Sequence, residues 1–224
     1  MTASFRPFVA LVQMIEKWRF RLLLTMLVAT LFLETLLDEN LFGALFLTTL
    51  FAIVLGGAVY VSAPPARIRY FAYGLVAIWM VVSWLRDSPV LATFDAPLLA
   101  ITIVLGVTVF GITLRALIYS PEADIDALAG AVFGYFLLAV VWALFYMQLE
   151  YWTPGSFRFA IAEQDVRGEL LYFSLVTITT LGYGDITAAN PFARICTGVE
   201  AAQGTLYLAI LVGRVVSLLK SDPR

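Results

Sequence analysis

From Leu41 to Val61 no charged side chain interrupts the sequence, and apolar runs of this kind return along the whole chain. A run of about 17–25 apolar residues fits one helix across a bilayer core. Hydrocarbon offers backbone N–H and C=O groups no partner, so each must bond inside its own segment. Six spans are expected, at about 21–37, 41–61, 68–85, 97–119, 125–150 and 191–219. Charged residues make up 13% of the 224 and hydrophobic ones 62%, with a mean hydropathy of +0.92, which excludes an ordinary soluble domain. The fold class expected is an all-α membrane protein of six transmembrane helices, with a re-entrant short helix between the fifth and sixth. The domain division expected is a cytoplasmic or interfacial segment over 1–20, a four-helix transmembrane domain over 21–119 and a second unit over 120–220.

Breaks between the runs carry their own signals. Asp38-Glu39-Asn40 is a tight polar connection, and Ser62-Ala63-Pro64-Pro65 stops the second span because proline cannot continue the hydrogen-bond ladder. Trp79 and Trp84 stand near the far end of the third span, where an interfacial belt places them. Arg86-Asp87-Ser88-Pro89 breaks the chain again, and residues 90–94 suit the interface. Ser120-Pro121-Glu122-Ala123-Asp124 reads as a helix start, with a capping serine, a first-turn proline and acids at the positive end of the dipole. Gly130 and Gly134 form a small-xxx-small pair that lets another helix come close. The first residues interleave Arg6, Lys17, Arg19 and Arg21 with apolar side chains, which suits a surface-lying amphipathic helix or a basic tail. A retained first helix is expected here, not a removed signal peptide.

Thr177-Ile178-Thr179-Thr180-Leu181-Gly182-Tyr183-Gly184-Asp185 follows a segment, 168–180, that is too short to span. Gly182 and Gly184 tolerate left-handed backbone, which lets a loop turn successive carbonyls to one side. A ring of carbonyls can replace the water around a dehydrated cation, since each is a strong dipole without a full charge. Thr180 adds a hydroxyl, and Tyr183 is large enough to brace the loop.

Thr-Leu-Gly-Tyr-Gly-Asp resembles the potassium-channel signature, with Leu181 where valine is more usual. The order span, short helix, glycine-rich loop, span over about 125–219 resembles the potassium-channel pore module. The resemblance implies a homotetramer, since one chain supplies a quarter of the carbonyl ring. It implies K+ as the permeant ion, held by Thr180, Leu181, Gly182 and Tyr183, with Gly184 completing the filter and Asp185 at the outer mouth. Tyr172 and Phe173 resemble an aromatic cuff, and no carboxylate on the short helix is seen to pair with Asp185. The short helix would aim its carboxyl end at a central cavity.

In the last span, Gly204 suits either a hinge or plain close packing. Thr205, Leu208, Val212 and Val216 are candidates for a pore-lining stripe that gates by dewetting, in a register open by one position. Glu200 stands among apolar residues, where a charge is expensive. It reads either as a cavity-facing charge that tunes cations or as a carboxyl bonded behind the short helix.

Ten of the 14 basic residues fall inside if the N-terminus is inside: Arg6, Lys17, Arg19, Arg21, Arg67, Arg69, Arg115, Arg214, Lys220 and Arg224. The positive-inside rule then places both termini in the cytoplasm of a multi-pass cell-membrane protein, with the filter loop outside. Acids on the outer segments would concentrate cations there, or are ordinary solvated loop residues. Four spans ahead of a pore module resemble voltage-gated channels, but the fourth carries Arg115 alone, at its inner end. Weak or no voltage dependence is expected, and Arg115 reads as an interfacial anchor.

The net charge of −2 argues against nucleic acid as a partner. Without histidine there is no His-based metal site, and the lone Cys196 reads as packing. No cofactor and no catalytic constellation is seen, so an enzyme is not expected. The other readings are a non-selective cation channel and a non-conducting scaffold or regulatory subunit with a vestigial filter.

Overall fold

In the computed structural model, which describes residues 18–36, 41–85, 95–119, 125–160 and 166–220, the chain is a helical bundle. The helices are α1 (Arg19–Leu36), α2 (Leu41–Ser62), α3 (Ala66–Leu85), α4 (Asp95–Tyr119) and α5 (Ile125–Trp152), then the short α6 (Val166–Ile178) and α7 (Pro191–Lys220). They begin and end close to the bounds expected from hydropathy. By length and apolar composition four of them can cross a membrane, namely α2, α3, α4 and α5, counted among the described residues. Two features depart from an all-helical expectation. Strand β1 (Phe157–Phe159) lies in a stretch expected to be irregular, and it pairs antiparallel with β2 (Ile186–Ala188) beyond the filter sequence. The short helix also stops at Ile178 instead of reaching Thr180.

The expected readings of residues 1–17, 38–40, 86–94, 120–124 and 221–224 fall outside the described residues.

Two apolar clusters share α5. One gathers Leu27, Leu55, Val59, Ala72, Leu105, Val109, Phe133 and Leu137 from the first five helices. The other joins Tyr146, Leu149, Phe157, Leu170, Phe173, Ile186, Ala193 and Cys196 around α6 and the ribbon. The small-xxx-small pair on α5 serves both sides. A Cβ at Gly130 would meet the Phe20 ring and Leu117, and one at Gly134 would stand 2.5 Å from the Tyr207 hydroxyl. The two glycines are notches for an aromatic ring from α1 and another from α7.

Asp126, in the first turn of α5, holds the start of α1. Its buried carboxylate accepts from the backbone N–H groups of Phe20, at 3.2 and 3.3 Å, and Arg21, at 3.2 Å. The first N–H groups of a helix have no partner inside it, so a carboxylate from a neighbour can cap them. Arg19 Nε lies 3.9 Å from the same carboxylate.

Candidate ion-conducting site

The end of α6 sets the geometry of the filter sequence. Thr180 N–H donates to the Thr177 carbonyl at 2.9 Å, and Leu181 N–H donates to the Val176 carbonyl at 2.9 Å. These paired bonds make a Schellman closure in which the residue just past the helix takes left-handed backbone, a place usually held by glycine. Here that residue is Thr180, with φ +57°. For a β-branched residue this conformation costs about 1–2 kcal/mol. Gly182 (φ +56°) and Gly184 (φ +82°) follow at every second position, while Leu181 and Tyr183 keep negative φ. In an ordinary strand successive carbonyls alternate sides. Reversing the sign of φ at every second residue cancels that alternation and lets the carbonyls line one side.

The carbonyls at the end of α6 are accounted for. Leu175 accepts from the Thr179 backbone N–H and hydroxyl, and Ile178 accepts from the Tyr135 hydroxyl of α5 at 2.8 Å. The loop itself meets little of its own chain. Thr179 to Asp185 are all exposed, Leu181 by 55% and Tyr183 by 67%.

At the outer end, Tyr172 of α6 supplies the partner for Asp185 that no helix carboxylate could. Its hydroxyl donates to Asp185 Oδ2 at 2.7 Å, and the Ile186 N–H donates to Oδ1 at 3.0 Å. The Tyr172 hydrogen bond holds the Asp185 carboxyl below its ordinary value, and the same bond pushes the phenol up to about 12. The ribbon then ties the flanks together. Glu150 accepts from the N–H groups of Gly155 and Phe157, while the Asn190 amide donates to Ser156 Oγ at 2.8 Å. Asn190 also caps α7, accepting from the Ala193 N–H at 2.7 Å, with Pro191 at the first helical position.

One stripe of α7 faces the rest of the chain: Ala193, Cys196, Glu200, Gly204 and Tyr207. Their spacing of three and four residues is that of one helix face. Glu200 is 0% exposed and lies between Tyr146 of α5 and Ser174 of α6, behind the short helix. Gly204 rests on Ile178, and a Cβ there would collide with that residue's carbonyl oxygen. Close packing therefore gives a physical reason for glycine at this position. Tyr207 donates to the Ala131 carbonyl of α5 at 2.8 Å. Thr205 and Leu208 lie off this stripe and are exposed, whereas the side chains of Val212 and Val216 are outside the described set.

Sequence reasoning did not single out Tyr135, Tyr146, Ser174 or Asp126. The one usable signal was the Glu200–Gly204 spacing, which puts both residues on one face of α7. Among the described residues no three His, Cys, Asp or Glu side chains gather as a metal site.

The family model described as "Ion channel" matches residues 130–221, less than half of the chain. A protein named Two-pore potassium channel 4, from Arabidopsis thaliana, is 33% identical over 101 residues, covering 44% of this chain and 36% of the relative. Two pore potassium channel c, from Oryza sativa subsp. japonica, is 36% identical over 64 residues, covering 29% and 14% respectively. Potassium voltage-gated channel protein shk-1, from Caenorhabditis elegans, is 43% identical over 49 residues, covering 22% and 9%. The chain thus spans about a third or less of the length of these relatives. No solved structure matches it. The potassium-channel resemblance read from the filter sequence is met by these similarities.

Proposed function

We propose that this chain, whose residues 130–221 fall in the ion-channel family, is one quarter of a potassium-selective pore that passes K+ passively down its gradient. The observation that carries the reading is the strained Thr180. A glycine would close the helix without cost, yet a threonine stands there with φ +57°. Backbone strain of this kind persists where a side chain is needed, and the threonine hydroxyl is an oxygen that can join the carbonyls of Thr180, Leu181, Gly182 and Tyr183 as K+ ligands.

The full assembly is a homotetramer in the lipid bilayer. In the isolated chain the loop from Thr179 to Asp185 is bare, as is most of the α7 surface from Thr205 to Ile210, and three more copies would cover both. In this reading α1 and α7 are spans beside α2 to α5, and α6 is re-entrant. Gly184 completes the filter and Asp185 stands at the outer mouth, while Thr205, Leu208, Val212 and Val216 line the inner pore. A hinge at Gly204 would bend against the Ile178 carbonyl. Both termini are cytoplasmic in the cell membrane. Voltage dependence is weak or absent, because Arg115 is the sole arginine of α4; it stacks on Tyr119 at 5.7 Å, as an interfacial anchor would.

Purified protein in liposomes tests this. Potassium flux is expected from the wild type and none from Gly182→Ser, whose side chain strains the left-handed backbone. Reversal potentials in mixed Na+ and K+ are expected to follow K+. Equal permeation of both ions would make the pore a non-selective cation channel, and no flux from wild type would leave a scaffold or regulatory subunit with a vestigial filter.

A further inference from the structure

Ser174 has one hydroxyl proton and two acceptors in reach. Its Oγ stands 2.7 Å from the Ala139 carbonyl oxygen of α5, and it is also bonded to Glu200 Oε1. A carbonyl carries no proton, so the Ala139 contact is a hydrogen bond only when Ser174 donates it. The contact between Ser174 and Glu200 must then take its proton from Glu200. On the other carboxyl oxygen, the Tyr146 hydroxyl donates to Oε2 at 2.5 Å. Three contacts need three protons. Tyr146 and Ser174 supply two, and a carboxylate supplies none, so the chain of bonds closes only with a neutral carboxylic acid.

The surroundings agree with that count. Glu200 is 0% exposed, and its carboxyl oxygens meet the hydroxyls of Tyr146 and Ser174, not a cationic side chain. A buried carboxylate without a counter-ion is costly, whereas a fully bonded neutral acid leaves no polar atom stranded. The position is also specific. Ser174 precedes Ile178 by four residues on α6, and Glu200 precedes Gly204 by four on α7. The Glu200–Ser174 bond and the Gly204–Ile178 contact therefore clamp the two helices at two points, each one turn apart. Thr180 begins the filter two residues beyond the second point.

We infer that Glu200 is a neutral acid and a positioning residue, whose proton is the middle link of a hydrogen-bond chain joining α7 through α6 to α5 behind the filter. The inference rests on the channel reading for its effect on ion selection, but not for the state of the acid.

Glu200→Gln tests the chemistry, because its amide donates to Ser174 and its carbonyl accepts from Tyr146, as the neutral acid does. In liposomes, Glu200→Gln is expected to keep the K+ to Na+ flux ratio within about twofold of wild type. Glu200→Ala and Ser174→Ala are expected to lower it by about tenfold, on the scale of one or two interhelical hydrogen bonds. A flux ratio is insensitive to the amount of folded protein, and Ser174→Ala serves where Glu200→Ala does not assemble. Infrared difference spectra of the wild type in lipid at neutral pH should show a protonated-carboxyl stretch that Glu200→Gln lacks. A missing band overturns the neutral acid, and so does a Glu200→Gln ratio as low as that of the alanine variants. Alanine variants that keep the wild-type ratio overturn the positioning role. A wild type that passes no K+ but shows the band sinks the channel reading alone.

Discussion

The two halves of the bundle are held by different means. Among the described residues, the core that α2, α3 and α4 share is apolar; half of the α5 span is buried in the chain, against 11% of the α3 span. Trp79 donating to Thr102 at 2.8 Å is a polar tie between two of those helices. In the second half, Tyr135, Tyr146, Ser174, Glu200 and Tyr207 each cross from one element to another. Lipid tails are as apolar as leucine, so apolar contact gives little preference for one arrangement over another in a membrane. Directional bonds do give one. In the proposed channel, the half that would place oxygens around the ion is the half that carries them.

The sharpest way to break this contrast is at Gly204. Alanine there drives a Cβ into the Ile178 carbonyl, a backbone atom that cannot rotate away, and overpacking of this kind costs about 1–3 kcal/mol. Thermal melts in detergent should show Gly204→Ala well below wild type. Gly74→Ala on α3, with open space around its Cβ position, should be neutral. Equal melts would mean that the second half packs as loosely as the first.

Next in size is the joint between the halves. Asp126→Ala removes the cap on α1, worth about 0.5–2 kcal/mol. Limited proteolysis is expected to cut near the start of α1 faster in this variant, with α5 to α7 staying protected.

Smaller still is the bond at the outer mouth, where both groups are exposed and solvent screens the interaction. Asp185 is lowered, so its contribution is present above the ordinary carboxylate value and is lost as pH falls through the lowered one. Tyr172 is raised, so its contribution is present below the ordinary phenol value and is lost as pH climbs through about 12. Tyr172→Phe should therefore change K+ flux by the same small factor at every pH from about 5 to about 9, a window clear of both transitions. A factor that varied across that window would show another titrating group at the mouth.

At the bottom of the scale, Arg115→Gln should leave the conductance–voltage curve unchanged. A steep curve flattened by that change would give the first half a voltage-sensing role that a single arginine does not suggest.

The helices were readable because hydropathy is a local property, and their bounds fall within a few residues of the apolar runs; four of them are long and apolar enough to cross a membrane among the described residues. The potassium-channel resemblance was readable because the glycines and threonines that carry it are contiguous. The ties behind it were not. Tyr146 and Glu200 lie 54 positions apart, Ser174 and Glu200 lie 26 apart, and Phe20 and Asp126 lie 106 apart. Such pairings follow from how helices cross, which no local spacing encodes. Glu200 stood out as an oddity, but only the crossing of α5, α6 and α7 shows which hydroxyls meet it. The ribbon was hidden for a similar reason, since Phe157–Phe159 is too short to show a strand period and its partner lies beyond the filter.

That ribbon changes how the loop is loaded. By pairing Phe157 with Ala188 and Phe159 with Ile186, it joins the chain before α6 to the chain after the filter. The residues between them become a closed circuit whose two ends cannot drift apart, and the entropy of closing it is spent once, on folding. The ribbon gives the outer end of α7 a direct link to the chain that follows α5, beside the longer path through α6 and the filter sequence. The filter sequence and the ribbon are thus two parallel links between the same points of the chain, not successive ones.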